Sequence, residues 1–253
     1  MPNYASLAQT LTSILGLERP PVALAPVSEV PTGVPVFKGV SPSSCSFWRN
    51  AEKEVFAAKA SDHMNCPIGA MVMGFDLTPD AKEALSRGLQ MMCEVGYVQP
   101  SEAEHIPSLS KRGETMLYGP LSNFPIERAG AERHVDPEVV VIWIQPAQAM
   151  LLREATGEAE WKSDVSSRVF GRPACAALGV ASRGSAVALS FGCSGMRTFT
   201  GAEPSTMLAA MSGRLLSTLE ESLTRAHKAN CAMQAFYDQQ KTYFPFKKEG
   251  TKS

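Results

Sequence analysis

The chain has 253 residues, 44% hydrophobic and 19% charged, with a formal net charge of −1. That length buries a proper core in one large domain or two small ones, and the balanced charge excludes a polyanion-binding role carried by a basic surface. No run approaches the roughly 18 apolar residues of a membrane helix. The start, "MPNYASLAQTLTSILGLERPPVALAP", lacks a basic head and a long apolar stretch, so a cytoplasmic protein that contacts neither membrane nor nucleic acid is expected.

Within Tyr4 to Leu15, apolar residues at Leu7, Leu11, Ile14 and Leu15 predict an amphipathic helix, stopped by Pro20-Pro21. "VALAPV" follows as a strand, and "FWRNAEKEVFAAKA" reads as a helix with Phe47, Val55 and Phe56 inward. "LTPDAKEALSRGLQMM" opens a helix with Thr78 as N-cap, Pro79 in the first turn and Asp80 against the helix dipole. "ETMLYGPLSNFP" reads as strand and turn. Val139 to Ile144 is a continuous, largely β-branched run, fitting a strand covered on both faces or one lying against an interface. A helix from Pro146 returns over it, "RPACAALGV" is a short helix and "SAVALSF" a buried strand. "STMLAAMSGRLLSTLEESLTRAHKANCAMQAFYDQQ" reads as one or two closing helices, and "FPFKKEGTKS" as a solvated tail.

Strands alternating with helices give an α/β (or α+β) class, with a mixed sheet flanked by helices. No linker divides the chain, so 1–253 reads as a single domain. A strand, Cys45 and Cys66-x-x-Gly69 in the first half match a strand, Cys175 and Cys193-x-Gly195 in the second. The cysteines are separated by 20 residues (46–65) and 17 residues (176–192). This spacing fits two pseudo-repeated halves, about 18–120 and 121–240; coincidence explains it as well, since little else aligns.

In a reducing compartment six cysteines are not expected to form structural disulfides. Cys93 and Cys231 sit among helical residues and read as small core hydrophobes. Cys45, Cys66, Cys175 and Cys193 lie beside prolines, glycines and turns, where a sulfur projects and backbone N–H groups can meet a thiolate. Four thiolates suit an iron–sulfur cluster, with four irons expected, or a structural zinc. The spacings lack tight C-x-x-C knuckles, and Cys66-Pro67 suits the cluster better. Haem on Cys66 is a lesser alternative, and simple packing of four small residues is the plain one.

Gly192, Gly195 and Arg197 in "FGCSGMRTFTG" form a glycine-rich turn suited to a small anion, and Gly69, after Cys66-Pro67, is expected with Gly192 and Gly195 among the cofactor-binding residues. The alternative for Arg197 is a pair with a carboxylate such as Glu203. His63 stands three residues before Cys66, as a proton donor, an axial ligand or a satisfied loop residue.

"RPPVALAP", Cys45 before a helix, "CPIGA" from Cys66, "QPAQAMLL", Cys175 and "SFGCSGMRTFTGAEPSTMLAAMSG" together resemble the uncharacterised ArCR-type proteins, the domain of unknown function numbered 169. The resemblance runs from about residue 10 to about residue 240. It implies that Cys45, Cys66, Cys175 and Cys193, not Cys93 or Cys231, belong to a site. It also implies a Gly-x-Arg-x-aromatic-Thr run at Gly195, Arg197, Phe199 and Thr200.

The expectation is an iron–sulfur protein. With one iron open the cluster would act on a small anionic substrate beside Arg197 and His63. With all four thiols bound it would transfer electrons or support the structure, a choice the sequence leaves open. The alternatives are a non-enzymatic binding module for haem, a metal ion or a small ligand, and a thiol redox protein. A small-molecule ligand or substrate is the expected partner, and a homo-oligomer stays open.

Overall fold

The computed structural model describes residues 2–126, 134–157, 169–170, 173–184 and 187–243. Helix α1 (Tyr4–Leu15) begins at the Asn3 cap and leads into β1 (Val22–Val27). Then follow α2 (Ser44–Asn50), β2 (Phe56–Lys59), α3 (Pro67–Val72), α4 (Pro79–Glu94), α5 (Pro100–Ala103) and β3 (Thr115–Pro120). The second half runs β4 (Val139–Ile144), α6 (Pro146–Ala155), β5 (Val169–Phe170), α7 (Ala176–Arg183), β6 (Ala188–Ser190), α8 (Ser194–Thr200), β7 (Met207–Ser212) and α9 (Leu216–Tyr243).

The strands form one seven-stranded mixed sheet in the order β2-β3-β1-β4-β7-β6-β5. Five of the six neighbouring pairs are antiparallel, and β5 runs parallel to β6. The centre is the antiparallel pair β1 and β4, in register Val22↔Val141 and Leu24↔Val139. Outward from β1 come β3 and β2; outward from β4 come β7 and β6, with the same alternation of direction.

Both faces of the sheet are covered, because successive side chains in a strand point to opposite sides. Ala23, Val140, Ile142, Ala209 and Met211 pack with Leu7 and Leu11 of α1, Leu152 of α6 and Leu219 of α9. Val22, Leu24, Tyr118, Val141, Leu208 and Ala210 pack with Phe47 and Trp48 of α2, Val72 of α3, Leu178 of α7 and Met196 of α8. Every residue of β4 is buried, so Val139 to Ile144 is a central strand. Among the described residues no helix is long and apolar enough to cross a membrane.

Two elements differ from their sequence reading. The segment expected as one helix from Phe47 to Ala60 stops at Asn50, and Phe56–Lys59 pairs with β3 as a strand. Phe56 and Ala58 face the α2 side while Ala57 faces the α1 side. Met207–Ser212 is not helical either: it lies as a strand between β4 and β6. Short apolar runs buried on both faces carry no period that tells strand from helix. The expected solvated tail, 244–253, lies outside the described residues.

Candidate functional site

Each of the four turn cysteines stands at the beginning of a helix on one face of the sheet. The Ser43 hydroxyl accepts from the Ser46 N–H at 3.3 Å and opens α2, which places Cys45 in its first turn. Cys66 is the N-cap of α3, and Pro67, whose missing N–H costs nothing at the first helical position, starts that helix. Cys175 precedes α7 in the same way. Cys193 caps α8, with its sulfur accepting from the Met196 N–H at 3.4 Å. This explains the cysteine set between glycines. Gly192, at φ +87°, swings the chain out of β6, and a Cβ there would meet Met196 Cε at 2.5 Å.

The four sulfurs line one cavity of about 630 Å³. Cys45 and Cys175 are buried, whereas Cys66 and Cys193 are partly exposed. Burial, first, and then the neighbouring thiols Cys175, Cys193 and Cys66 push the Cys45 thiol well above its ordinary pKa. Burial followed by Cys66 and Cys193 does the same to Cys175. Without a metal these two thiols stay protonated and unreactive at neutral pH. The other two cysteines do not line the cavity. Cys93 is half-buried on α4, and Cys231 is exposed on α9, 3.6 Å from His227 Nε2, which corrects the reading of Cys231 as core.

Gly69 is the contact between α2 and α3. A Cβ there would lie 2.4 Å from Ser44 Oγ, 2.6 Å from Ser44 Cβ and 3.0 Å from Cys66 Sγ. Gly195 lines the cavity, and a Cβ added to it meets no atom within 4 Å.

The two proposed catalytic side chains lie differently. The Arg197 guanidinium donates to the backbone carbonyls of Glu203 and Phe191, both at 2.5 Å, and of Thr206 at 3.2 Å. It clamps the loop between α8 and β7, and its partner at Glu203 is the carbonyl rather than the carboxylate. His63 is 1% exposed, between the rings of Phe47 and Phe75 at centroid distances of 4.6 and 4.7 Å. Its Nδ1 donates to the Lys59 carbonyl at 2.9 Å, and its Nε2 accepts from the Tyr118 hydroxyl at 2.9 Å. That tautomer follows because a carbonyl only accepts. Neither Arg197 nor His63 is among the residues that line the cavity.

The sequence reading missed the cavity's far wall. Leu85, Gly88, Leu89 and Met92 of α4 face the thiols, and the Tyr97 hydroxyl, just after α4, joins Ser194 at the start of α8. The apolar stripe of α4 was visible in the sequence, but a stripe facing a core and a stripe facing a cavity have the same spacing.

The described residues contain no group of three or more His, Cys, Asp or Glu side chains gathered closely enough to hold a metal ion. A cluster asks for less, since each thiolate binds its own iron and the ligands stand further apart than around a single zinc. The donor chemistry fits: four soft thiols, one receiving a backbone N–H, around a space lined without charged side chains. Beside Cys45, the hydroxyl of Ser44 is fully buried and has no hydrogen-bond partner.

The sequence profile of the family described as uncharacterised ArCR, domain of unknown function 169, matches residues 10–222. The chain belongs to this family. No curated protein and no solved structure matches it. Membership of the uncharacterised ArCR family therefore brings no activity with it, and the chemistry is argued from the site.

Proposed function

We propose that Cys45, Cys66, Cys175 and Cys193 hold one iron–sulfur cluster, of the four-iron kind, in a chain that works in the reducing cytoplasm. The observation that carries this reading is the convergence of four thiols, from four separate helices, on one cavity that Cys93 and Cys231 do not line. Such a cluster supplies electron transfer, or Lewis acidity at an iron with a position free of protein thiolate. The chain's own residues would do the rest. Gly69 lets the Cys45 and Cys66 helices close together, the Met196 N–H supports the Cys193 sulfur, and Cys45 and Cys175 bury their side of the group.

We further read the two halves as copies of one ancestral unit. Each contributes a central strand, a cysteine-led helix, an outer strand, a second cysteine-led helix and the strand between. Two thiols from each copy would meet between the halves. The α4–α5 segment is an addition to the first copy, and α6, β5 and α9 belong to the second.

The test is a set of single Cys→Ser variants prepared without oxygen and assayed for bound iron. Changes at 45, 66, 175 and 193 are expected to lower iron, and changes at 93 and 231 to leave it unchanged. Full iron in all four of the first group overturns the reading. One zinc per chain, or a haem band, moves the site to a metal- or haem-binding module. Metal-free protein with a reversible Cys175–Cys193 disulfide makes it a thiol redox protein.

A further inference from the structure

We propose that the same cavity binds a neutral organic molecule with a flat, apolar body, held between α4 and α8 above the four thiols. The proposal goes beyond the cluster reading and stands without it. A cavity of about 630 Å³ falls within the range that takes a small organic ligand. Its described lining contains no Asp, Glu, Lys, Arg or His. An anion would lose its hydration there without gaining a charged partner, because the Arg197 guanidinium is committed to three carbonyls.

Two glycines give the ligand its shape. Gly88 stands in the middle of α4, where glycine weakens a helix relative to alanine. No described residue requires it: among the described residues a Cβ added at Gly88 meets nothing within 4 Å. Gly88 lies on the same stripe as Leu85, Leu89 and Met92, all half-buried toward the cavity. Gly195 of α8, an exposed residue that also lines the cavity, likewise has open space where its side chain would be. Two bare backbone surfaces leave room for a flat ring that leucines on both sides would fill.

Helix α4 is built to cover such a ring. Only Ala81 of α4 is fully buried, and its outer side carries charge, with Arg87 paired to Glu83 at 2.7 Å. Its far end is tied across the cavity: Tyr97 Oη donates to Ser194 Oγ and accepts from the Ser194 N–H, both at 3.0 Å. Exposed Met91, Val95 and Phe199 complete the apolar lining.

The test measures binding of 2-naphthol, of 2-naphthalenesulfonate and of decanol to the full chain, with iron assayed in every sample. One saturable equivalent of naphthol is expected, with the sulfonate and the flexible alkanol at least about tenfold weaker. Gly88→Leu is expected to weaken naphthol at least about tenfold while raising the thermal midpoint, since it restores helix propensity. That second readout shows that the variant is folded. Sulfonate bound as tightly as naphthol, or naphthol binding unchanged in Gly88→Leu, overturns the proposal. Iron-free protein that binds naphthol sinks the cluster reading and leaves this one standing; iron-loaded protein that ignores naphthol does the reverse.

Discussion

The Tyr118 hydroxyl donates to His63 Nε2 at 2.9 Å, and both side chains are buried on the thiol side of the sheet. Tyr118 stacks on Phe47 and Phe56, each at a centroid distance of 5.4 Å. The aromatic cluster on this side of the sheet thus includes a histidine already satisfied on both nitrogens. A proton on Nε2 would have to displace the tyrosine's.

The histidine makes stability depend on pH. Burial, the largest cause, lowers the His63 pKa from 6.5 to about 4, against smaller raising effects of the Lys59 carbonyl and Asp62. The unfolded chain therefore binds a proton between these values that the folded chain refuses. The contribution is intact above pH 6.5 and is lost as pH falls toward 4, by roughly 3 kcal/mol in full. Denaturant midpoints of the wild type and His63→Gln across pH 4 to 7 check this. The variant's profile should be flatter; parallel profiles contradict the assignment.

Gly69→Ala is expected to cost about 1–3 kcal/mol. The new methyl meets both Ser44 Oγ and Ser44 Cβ, so a rotamer change in Ser44 relieves only part of the clash. Thermal melts of Gly69→Ala alone and with Ser44→Gly, which removes both atoms, measure it. The pair should recover part of the loss.

Arg197→Ala should cost about 2 kcal/mol by freeing three carbonyls at once, and Arg197→Lys should recover little, because an ammonium cannot span the fork. Amide exchange is the local check, with faster exchange expected in residues 191–206. A variant of unchanged stability that has lost affinity for a small anion would return Arg197 to ligand binding.

The thiols should react in a fixed order in metal-free protein. Cys231, exposed on α9, is expected to be alkylated first, and Cys45 and Cys175, buried and shifted upward, last. Timed iodoacetamide labelling read by mass spectrometry gives the order. Early labelling of Cys45 or Cys175 would contradict the burial described here.

Much of the frame was legible from local signals. The Thr78 hydroxyl accepts from the Ala81 N–H at 3.2 Å, as the T-P-D start of α4 predicts, and β4 is as buried as its apolar run predicts. Phe56 and Met207 were not legible, because what makes their segments strands is pairing with other strands, β3 for the first and β4 and β6 for the second. The four cysteines stood out by their turns, yet their meeting depends on the strand order, which no local pattern carries. Arg197 beside glycines has the look of an anion site. Only the fold supplies the carbonyls that occupy it.

The most direct measurement of the central claim is iron and acid-labile sulfide per chain, with the visible spectrum, on protein purified without oxygen. The account predicts about four of each and a broad absorption shoulder that Cys→Ser changes at 45, 66, 175 or 193 diminish. Protein prepared the same way without iron or sulfide, in which all four thiols at those positions are alkylated once the chain is unfolded, would contradict it.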